Sequence, residues 1–279
     1  MNKDLRDFQV IGRPTPKKDA RLKASGRAEY ADDIVMPGML HGKLLRSPHA
    51  HARILGIDTS RAAALPGVRA VVTGSDFPNI KFGNLPQTRD YLPLAIDTVR
   101  YIGEEVAAVA AIDEDTAEEA LDLLRVEYEP LPAVFDPEEA MQPGAPQLHG
   151  HAPGNISAHS AFHFGDVDAA FAGSDYVRED VFETQAVKQG MLEPHACVGK
   201  WDAAGKVTLW SCKMSPYVTW RQLAMGLGLQ PGDVRVIQTF VGGGFSGGKQ
   251  EAMPMDFCAV LLSKKTGRPV KFVHTMDEV

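Results

Sequence analysis

Five glycines fall within seven residues at Gly242-Gly243-Gly244-Phe245-Ser246-Gly247-Gly248, and no other stretch so narrows what this chain can become. A backbone that bare lets its N–H groups come close to an anionic ligand. Val234-Arg235-Val236-Ile237-Gln238-Thr239-Phe240 reads as a strand leading into the loop. Beyond the loop, Met255, Cys258, Ala259 and Leu262 recur at i, i+3, i+4 and i+7, the spacing of one helical face. Strand, glycine loop and helix amino end together predict a cradle for a phosphate- or oxo-bearing cofactor, because free amides and the helix dipole both favour negative charge.

The loop admits competing readings. Gly242, Gly244 and Gly247 satisfy G-x-G-x-x-G, the dinucleotide fingerprint, and a second strand at 269–274 follows the helix. The acidic residue expected for a ribose could only be Asp277 or Glu278, well past the usual distance of about 20 residues. A purely structural glycine turn is the plainer alternative.

Composition removes several classes. A length of 279 residues suits about two domains, and a hydrophobic fraction of 44% suffices for real cores. The formal charge of −7 argues against a nucleic-acid binder. No apolar run approaches the ~20 residues needed to span a membrane. Met1-Asn2-Lys3-Asp4-Leu5-Arg6-Asp7 carries acids and lacks the apolar region of a secretory signal, so a cytoplasmic protein is expected. Cys197, Cys212 and Cys258 lie far apart with no CxxC pair and read as buried thiols. His49-x-His51 and His149-x-His151 lack the spacing of metal sites, and His195, after Glu193-Pro194, is a better pocket candidate, though a structural histidine is the plainer reading.

The pattern is α+β. A polar lead-in occupies 1–16. A mixed segment over 17–132 holds strands at 52–58 and 68–73, a short helix capped by Ser60, and a continuous apolar strand at 106–112. Thr116 and Glu119 make a T-x-x-E capping box for a helix striped by Ala117, Ala120, Leu121 and Leu124, which feeds a strand at 126–128. Prolines and glycines mark 133–157 as a linker. Over 158–279, Asp166 caps a short helix, strands are expected at 176–184 and 207–211, and Pro216 opens a helix reaching about Leu227.

Several segments converge on one family. They are Gly26-Arg27-Ala28-Glu29-Tyr30-Ala31-Asp32-Asp33-Ile34, Leu45-Arg46-Ser47-Pro48-His49-Ala50-His51-Ala52-Arg53-Ile54, Val99-Arg100-Tyr101-Ile102-Gly103-Glu104-Glu105-Val106-Ala107, Gly165-Asp166-Val167-Asp168-Ala169-Ala170-Phe171 and the glycine loop. In order and content they resemble the molybdenum-binding subunit of the xanthine dehydrogenase/aldehyde oxidase family. The stretch Asn84-Leu85-Pro86 with Tyr91-Leu92-Pro93-Leu94-Ala95 looks most like 4-hydroxybenzoyl-CoA reductase-type large subunits. The resemblance implies an α/β-hammerhead domain over 17–132 and the first part of a molybdopterin-binding domain over 158–279. It implies that Gly243, Gly244, Phe245, Ser246, Gly247 and Gly248 meet a molybdopterin cytosine dinucleotide cofactor, and that Gln250, Glu251 and Lys213 face a substrate pocket. Glu251 is the candidate for orienting substrate; its alternative is an acid stabilised at a helix amino end.

The resemblance implies two-electron oxidation, or reductive dehydroxylation, of an aromatic, N-heterocyclic or aldehyde substrate. Partner subunits would carry [2Fe–2S] clusters and FAD, and a further chain or segment would complete the molybdenum domain and supply the general-base glutamate. Two departures stand out. Ser246 is an extra residue between Phe245 and the Gly-Gly pair, and Ser211-Cys212-Lys213 stands where the family has a glutamine. Two alternatives are a non-catalytic scaffold that docks partner subunits and a GxGxxG nucleotide-binding dehydrogenase.

Overall fold

The computed structural model describes residues 8–85 and 89–279. Met1–Asp7 of the lead-in, and Pro86 of the Asn84-Leu85-Pro86 stretch, lie outside the described residues. The elements run α1 (Ala20–Ala24), β1 (Leu40–Arg46), β2 (Ala52–Asp58), α2 (Ser60–Ala64), β3 (Val68–Thr73), β4 (Thr98–Val99), β5 (Glu105–Ala111), α3 (Glu114–Leu123) and β6 (Arg125–Pro130). They continue with α4 (Pro137–Ala140), α5 (Val167–Ala172), β7 (Ala196–Trp201), β8 (Val207–Ser211), α6 (Pro216–Gly226), β9 (Val234–Gln238), α7 (Pro254–Thr266) and β10 (Val270–Val273).

A seven-stranded mixed sheet, ordered β3-β5-β1-β10-β7-β8-β9, unites both halves of the chain, while β4-β2-β6 form a smaller antiparallel sheet. The join is the parallel pair β1–β10, in which Leu40 faces Val270. Every residue of β5 is buried, as its apolar run requires of a strand covered on both faces. Ala107, Val109 and Ala111 pack under α2 and α3, whereas Ala108 and Ala110 join the larger core with α6 and α7. Met255, Cys258, Ala259 and Leu262 are all buried on α7, which lies directly on β7. The approach is close because Gly199 has no side chain; a Cβ there would stand 2.6 Å from the backbone carbon of Ala259. All three cysteines are buried free thiols. Among the described residues no helix is long and apolar enough to cross a membrane.

Three local expectations are corrected. The cap of α3 is Asp113, whose carboxylate accepts from the Thr116 amide at 2.8 Å, so the helix begins ahead of the T-x-x-E box. An ionised acceptor at this position also complements the helix dipole. Ser60 is the first helical residue of α2 rather than its cap; Thr59 precedes the helix, and the Asp58 carboxylate accepts from the Ser60 amide. Residues 176–184 form no strand, since β8 already has both edges occupied by β7 and β9. Tyr176, Val181 and Phe182 are left exposed there.

The dinucleotide reading fails on topology. A Rossmann unit needs the strands before and after its first helix to be parallel neighbours in the sheet, with the binding crevice at their carboxyl ends. Here β7 and β8 separate β9 from β10. The glycine loop does not open the helix either, for α7 begins only at Pro254 and its amino end is already capped by Asp256, which accepts from the Met253 amide at 2.8 Å.

Candidate functional site

The loop leaves β9 and closes a tight turn in which the Gly247 amide donates to the Gly244 carbonyl at 2.6 Å. The two central residues, Phe245 (φ 44°) and Ser246 (φ 67°), are both left-handed, as are Gly243 and Gly248 on either side. The extra Ser246 is therefore absorbed within the turn at some strain, because a side chain disfavours this backbone region. Phe245 projects outward and is largely exposed.

A buried ion pair anchors this turn. Lys249 is fully buried, and its Nζ donates to Glu193 Oε2 at 2.5 Å and to the Glu193 carbonyl at 3.0 Å. The same carboxylate oxygen accepts from the Gly242 amide at 2.6 Å, and the Lys249 carbonyl accepts from the Met214 amide at 2.7 Å. Glu193 thus ties both ends of the loop to the segment before β7. Among the described residues, the amides of Gly243, Gly244, Phe245, Ser246 and Gly248 donate to no protein acceptor.

Behind the loop lies a chamber of buried polar groups. Lys213 Nζ sits 3.1 Å from Asp256 Oδ2 but makes no aligned hydrogen bond, and both side chains are essentially solvent-free. Asp256 also accepts from the Ser211 hydroxyl at 3.1 Å. His195 and His274 meet edge to face with ring centroids 5.7 Å apart, and neither Nδ1 has a partner. Burial, reinforced for His195 by Lys213 and for His274 by Arg46, holds both imidazoles down at about 3. They are neutral histidines over the working pH range.

In front of the loop is a cavity of about 490 Å³. Ser246, Gly248, Gln250 and Glu251 form one wall, and Tyr91, Tyr101 and Glu104 from the first half of the chain form the other. Glu251 lies ahead of α7, outside its first turn, and its Oε2 accepts from the Gln222 side-chain amide at 2.9 Å; the helix-end reading is thereby overturned. Gln222 is buried and also accepts from the Ala252 amide, so it fixes the carboxylate's direction. Burial raises Glu104 above the ordinary carboxylate range despite the Arg100 amide that it accepts at 2.5 Å.

The cavity thus gathers four of the sequence-predicted residues. Gly243, Gly244, Phe245 and Gly247 belong to the loop without lining it, and Lys213 is enclosed in the rear chamber instead of facing it. His195 is likewise buried in that chamber, with its ring edge against Gly248. Of the other histidines, His51 Nδ1 sits 2.6 Å from the Pro132 carbonyl, and His149 lines the cavity. Sequence reasoning missed Glu193, Lys249 and Gln222 as the loop's supports. Glu193 was legible only as the neighbour of Pro194 and His195.

Comparison with known proteins agrees with this architecture. The family model described as "Aldehyde oxidase and xanthine dehydrogenase, a/b hammerhead domain" matches residues 25–132, and that described as "Molybdopterin cofactor-binding domain" matches residues 148–279. The nicotinate dehydrogenase large molybdopterin subunit of Eubacterium barkeri is 37% identical over 274 residues, covering 98% of this chain and 63% of the relative. The carbon monoxide dehydrogenase large chain of Afipia carboxidovorans is 39% identical over 269 residues, covering 91% of this chain and 33% of its own length. Quinoline 2-oxidoreductase from Pseudomonas putida 86 superimposes with a TM-score of 0.84 at 32% identity, over 95% of this chain and 34% of that one. The chain therefore spans between about a third and two thirds of the length of these relatives.

Proposed function

Because the chain belongs to the aldehyde oxidase and xanthine dehydrogenase family, we propose that it is the cofactor-gripping part of a molybdenum hydroxylase large subunit. The observation that carries this reading is a loop tied down by Glu193 and Lys249 yet carrying five amides that donate to no acceptor among the described residues. Such donors stabilise negative oxygens without reorganising when the ligand arrives. The glycines keep the backbone uncovered for such a ligand, and a Cβ on Gly243 or Gly244 would in addition press within about 3 Å of Phe245 or Met214.

In this reading the amides of Gly243, Gly244, Phe245, Ser246 and Gly248 hold a molybdopterin cytosine dinucleotide cofactor, with Gly247 closing the turn. When bound, that cofactor supplies two-electron oxidation, or reductive dehydroxylation, at a carbon of an aromatic, N-heterocyclic or aldehyde substrate. Glu251, steered by Gln222, accepts hydrogen bonds from the substrate, and Gln250 offers an uncharged donor and acceptor beside it. An iron–sulfur subunit and an FAD subunit carry the electrons onward, and a further chain or segment completes the molybdenum domain.

The test is the molybdenum-to-protein ratio of the chain purified from its native host with the subunits that accompany it. A ratio near one is expected. A ratio near zero in a folded sample would reduce the loop to an inherited shape and leave a scaffold that docks partners.

A further inference from the structure

The wall of the front cavity carries an imbalance of charge. Asp90, Glu104, Glu105 and Glu251 line it against a single permanent cation, Arg100. Glu105 is neutralised by Arg46 at 2.7 Å. Arg100 spends its guanidinium on carbonyls, donating to Leu148 and Thr98 at 3.0 Å each, so its charge offsets Glu104 only at a distance. Glu251 is held by a neutral amide. Among the described residues Asp90 pairs only with His149 Nδ1, at 3.9 Å, and burial lowers that imidazole's affinity for a proton. The carboxylates also act on a common point: after burial, Asp90, Glu251 and Glu104 are what raise the Tyr91 hydroxyl.

The same cavity has flat apolar walls. The rings of Phe82 and Tyr91 sit 6.1 Å apart, and Tyr101 joins them. Aromatic faces beside unpaired carboxylates suit an organic cation, which gains from the ring quadrupole and from the focused negative field together. A bare metal ion fits less well, since no group of three His, Cys, Asp or Glu among the described residues is disposed to hold one.

We propose that this cavity selects cationic aromatic compounds, such as N-alkylated or protonated N-heterocycles, over their neutral and anionic counterparts. The inference rests on the reading of the cavity as the substrate side of the glycine loop and adds the charge class of what enters. Asp90 and Glu104 set that preference from the first half of the chain, across the cavity from the loop.

The experiment is calorimetric titration of the purified full chain, with its accompanying subunits, using three probes of one shape: N-methylquinolinium, quinoline and quinoline-2-carboxylate. The cation is expected to bind roughly tenfold more tightly than quinoline at low salt, and the carboxylate more weakly than either. Glu104→Gln, which keeps an acceptor for the Arg100 amide, and Asp90→Asn, on a partly exposed side chain, should each lower cation affinity severalfold and quinoline affinity far less, so that the ratio of the two falls. Equal or weaker binding of the cation overturns the inference, as does a cation preference that neither variant moves, or no saturable binding of any probe. Molybdenum content measured on the same sample separates the two claims. Metal near one without cation preference sinks only the charge class, whereas cation preference without metal sinks only the cofactor reading.

Discussion

Helix α7 borders two buried regions of opposite character. From Phe257 to Leu262 it lies in an apolar layer against β7 and β10, packed in one core with Cys197, Val270 and Phe272, where contacts are non-directional. At its amino end Asp256 enters the chamber shared with Lys213, beside the Lys249–Glu193 pair and the two orphaned histidines. The first region is how the chain folds. The second is costly to bury, because ions and unmatched polar atoms lose water without full compensation, and it lies directly behind the loop proposed to act. Stability and the shape of the site are thus assigned to opposite ends of one neighbourhood.

Cutting the loop's anchor should separate them most sharply. Lys249→Met leaves the Glu193 carboxylate largely buried without its cation, and destabilisation of about 4 kcal/mol is expected by urea denaturation. Adding Glu193→Gln to that variant removes the stranded charge, so much of the stability should return. Molybdenum loading should not return, because a glutamine can still accept from the Gly242 amide but the tie to Lys249 at the other end of the loop is gone. Full recovery of both would show that the pair is mere packing and dissolve the contrast.

Acid should attack the polar region while sparing the apolar one. His195 and His274 are held at about 3, whereas the unfolded chain titrates near 6.5. The depressed value means the unfolded state takes up protons first as pH falls. Stability is whole above about pH 6.5 and is lost progressively down towards pH 3. Between pH 7 and 5.5, where most carboxylates remain ionised, the loss should reach about 2.5 kcal/mol for the two rings together. Lys213, Lys249 and Asp256 face His195, and Arg46, Lys43 and Lys213 face His274, so the cations around both oppose protonation. Replacing both histidines with glutamine should flatten the slope of urea-derived stability against pH; an unchanged slope would place the proton uptake elsewhere.

In the apolar layer the corresponding probe is steric. Gly199→Ala pushes a methyl group into the α7 backbone, where nothing flexible can yield. A cost of about 2 kcal/mol is expected, insensitive to pH between 7 and 5.5. A pH-dependent cost would mean that the two regions are mechanically coupled through α7.

This division also explains what could be read in advance. The continuous run in β5 and the i, i+3, i+4, i+7 face of α7 are local signals, and they marked the core directly. The glycine cluster is equally local, so the loop was legible down to its extra serine. Its supports were not: Glu193, Gln222 and Lys249 are single residues scattered over the last third of the chain, and only the fold brings them to the loop, while the sequence points Lys213 to the cavity and not to the buried chamber behind it. The cavity's far wall is further still, because Asp90, Tyr101 and Glu104 reach the loop through the β1–β10 pairing that joins the two halves. The misplaced strand at 176–184 has the same origin. Residues with strand propensity make a strand only where a neighbour has a free edge, and β8 has none to offer.

The smallest effect tests the loop itself. Phe245 and Ser246 occupy left-handed backbone at the centre of the turn, a conformation that glycine adopts freely and serine does not. Ser246→Gly should therefore stabilise the protein by up to about 1 kcal/mol, seen as a rise of about 2 °C in melting temperature. Greater backbone freedom in the unfolded chain works against this gain, so the sign is informative. A rise means the serine is a strained insertion tolerated for its hydroxyl at the mouth of the cavity, and molybdenum content should then hold while probe affinity changes. A fall means that the turn is relaxed as built, and that the extra residue sets the loop's shape without storing strain.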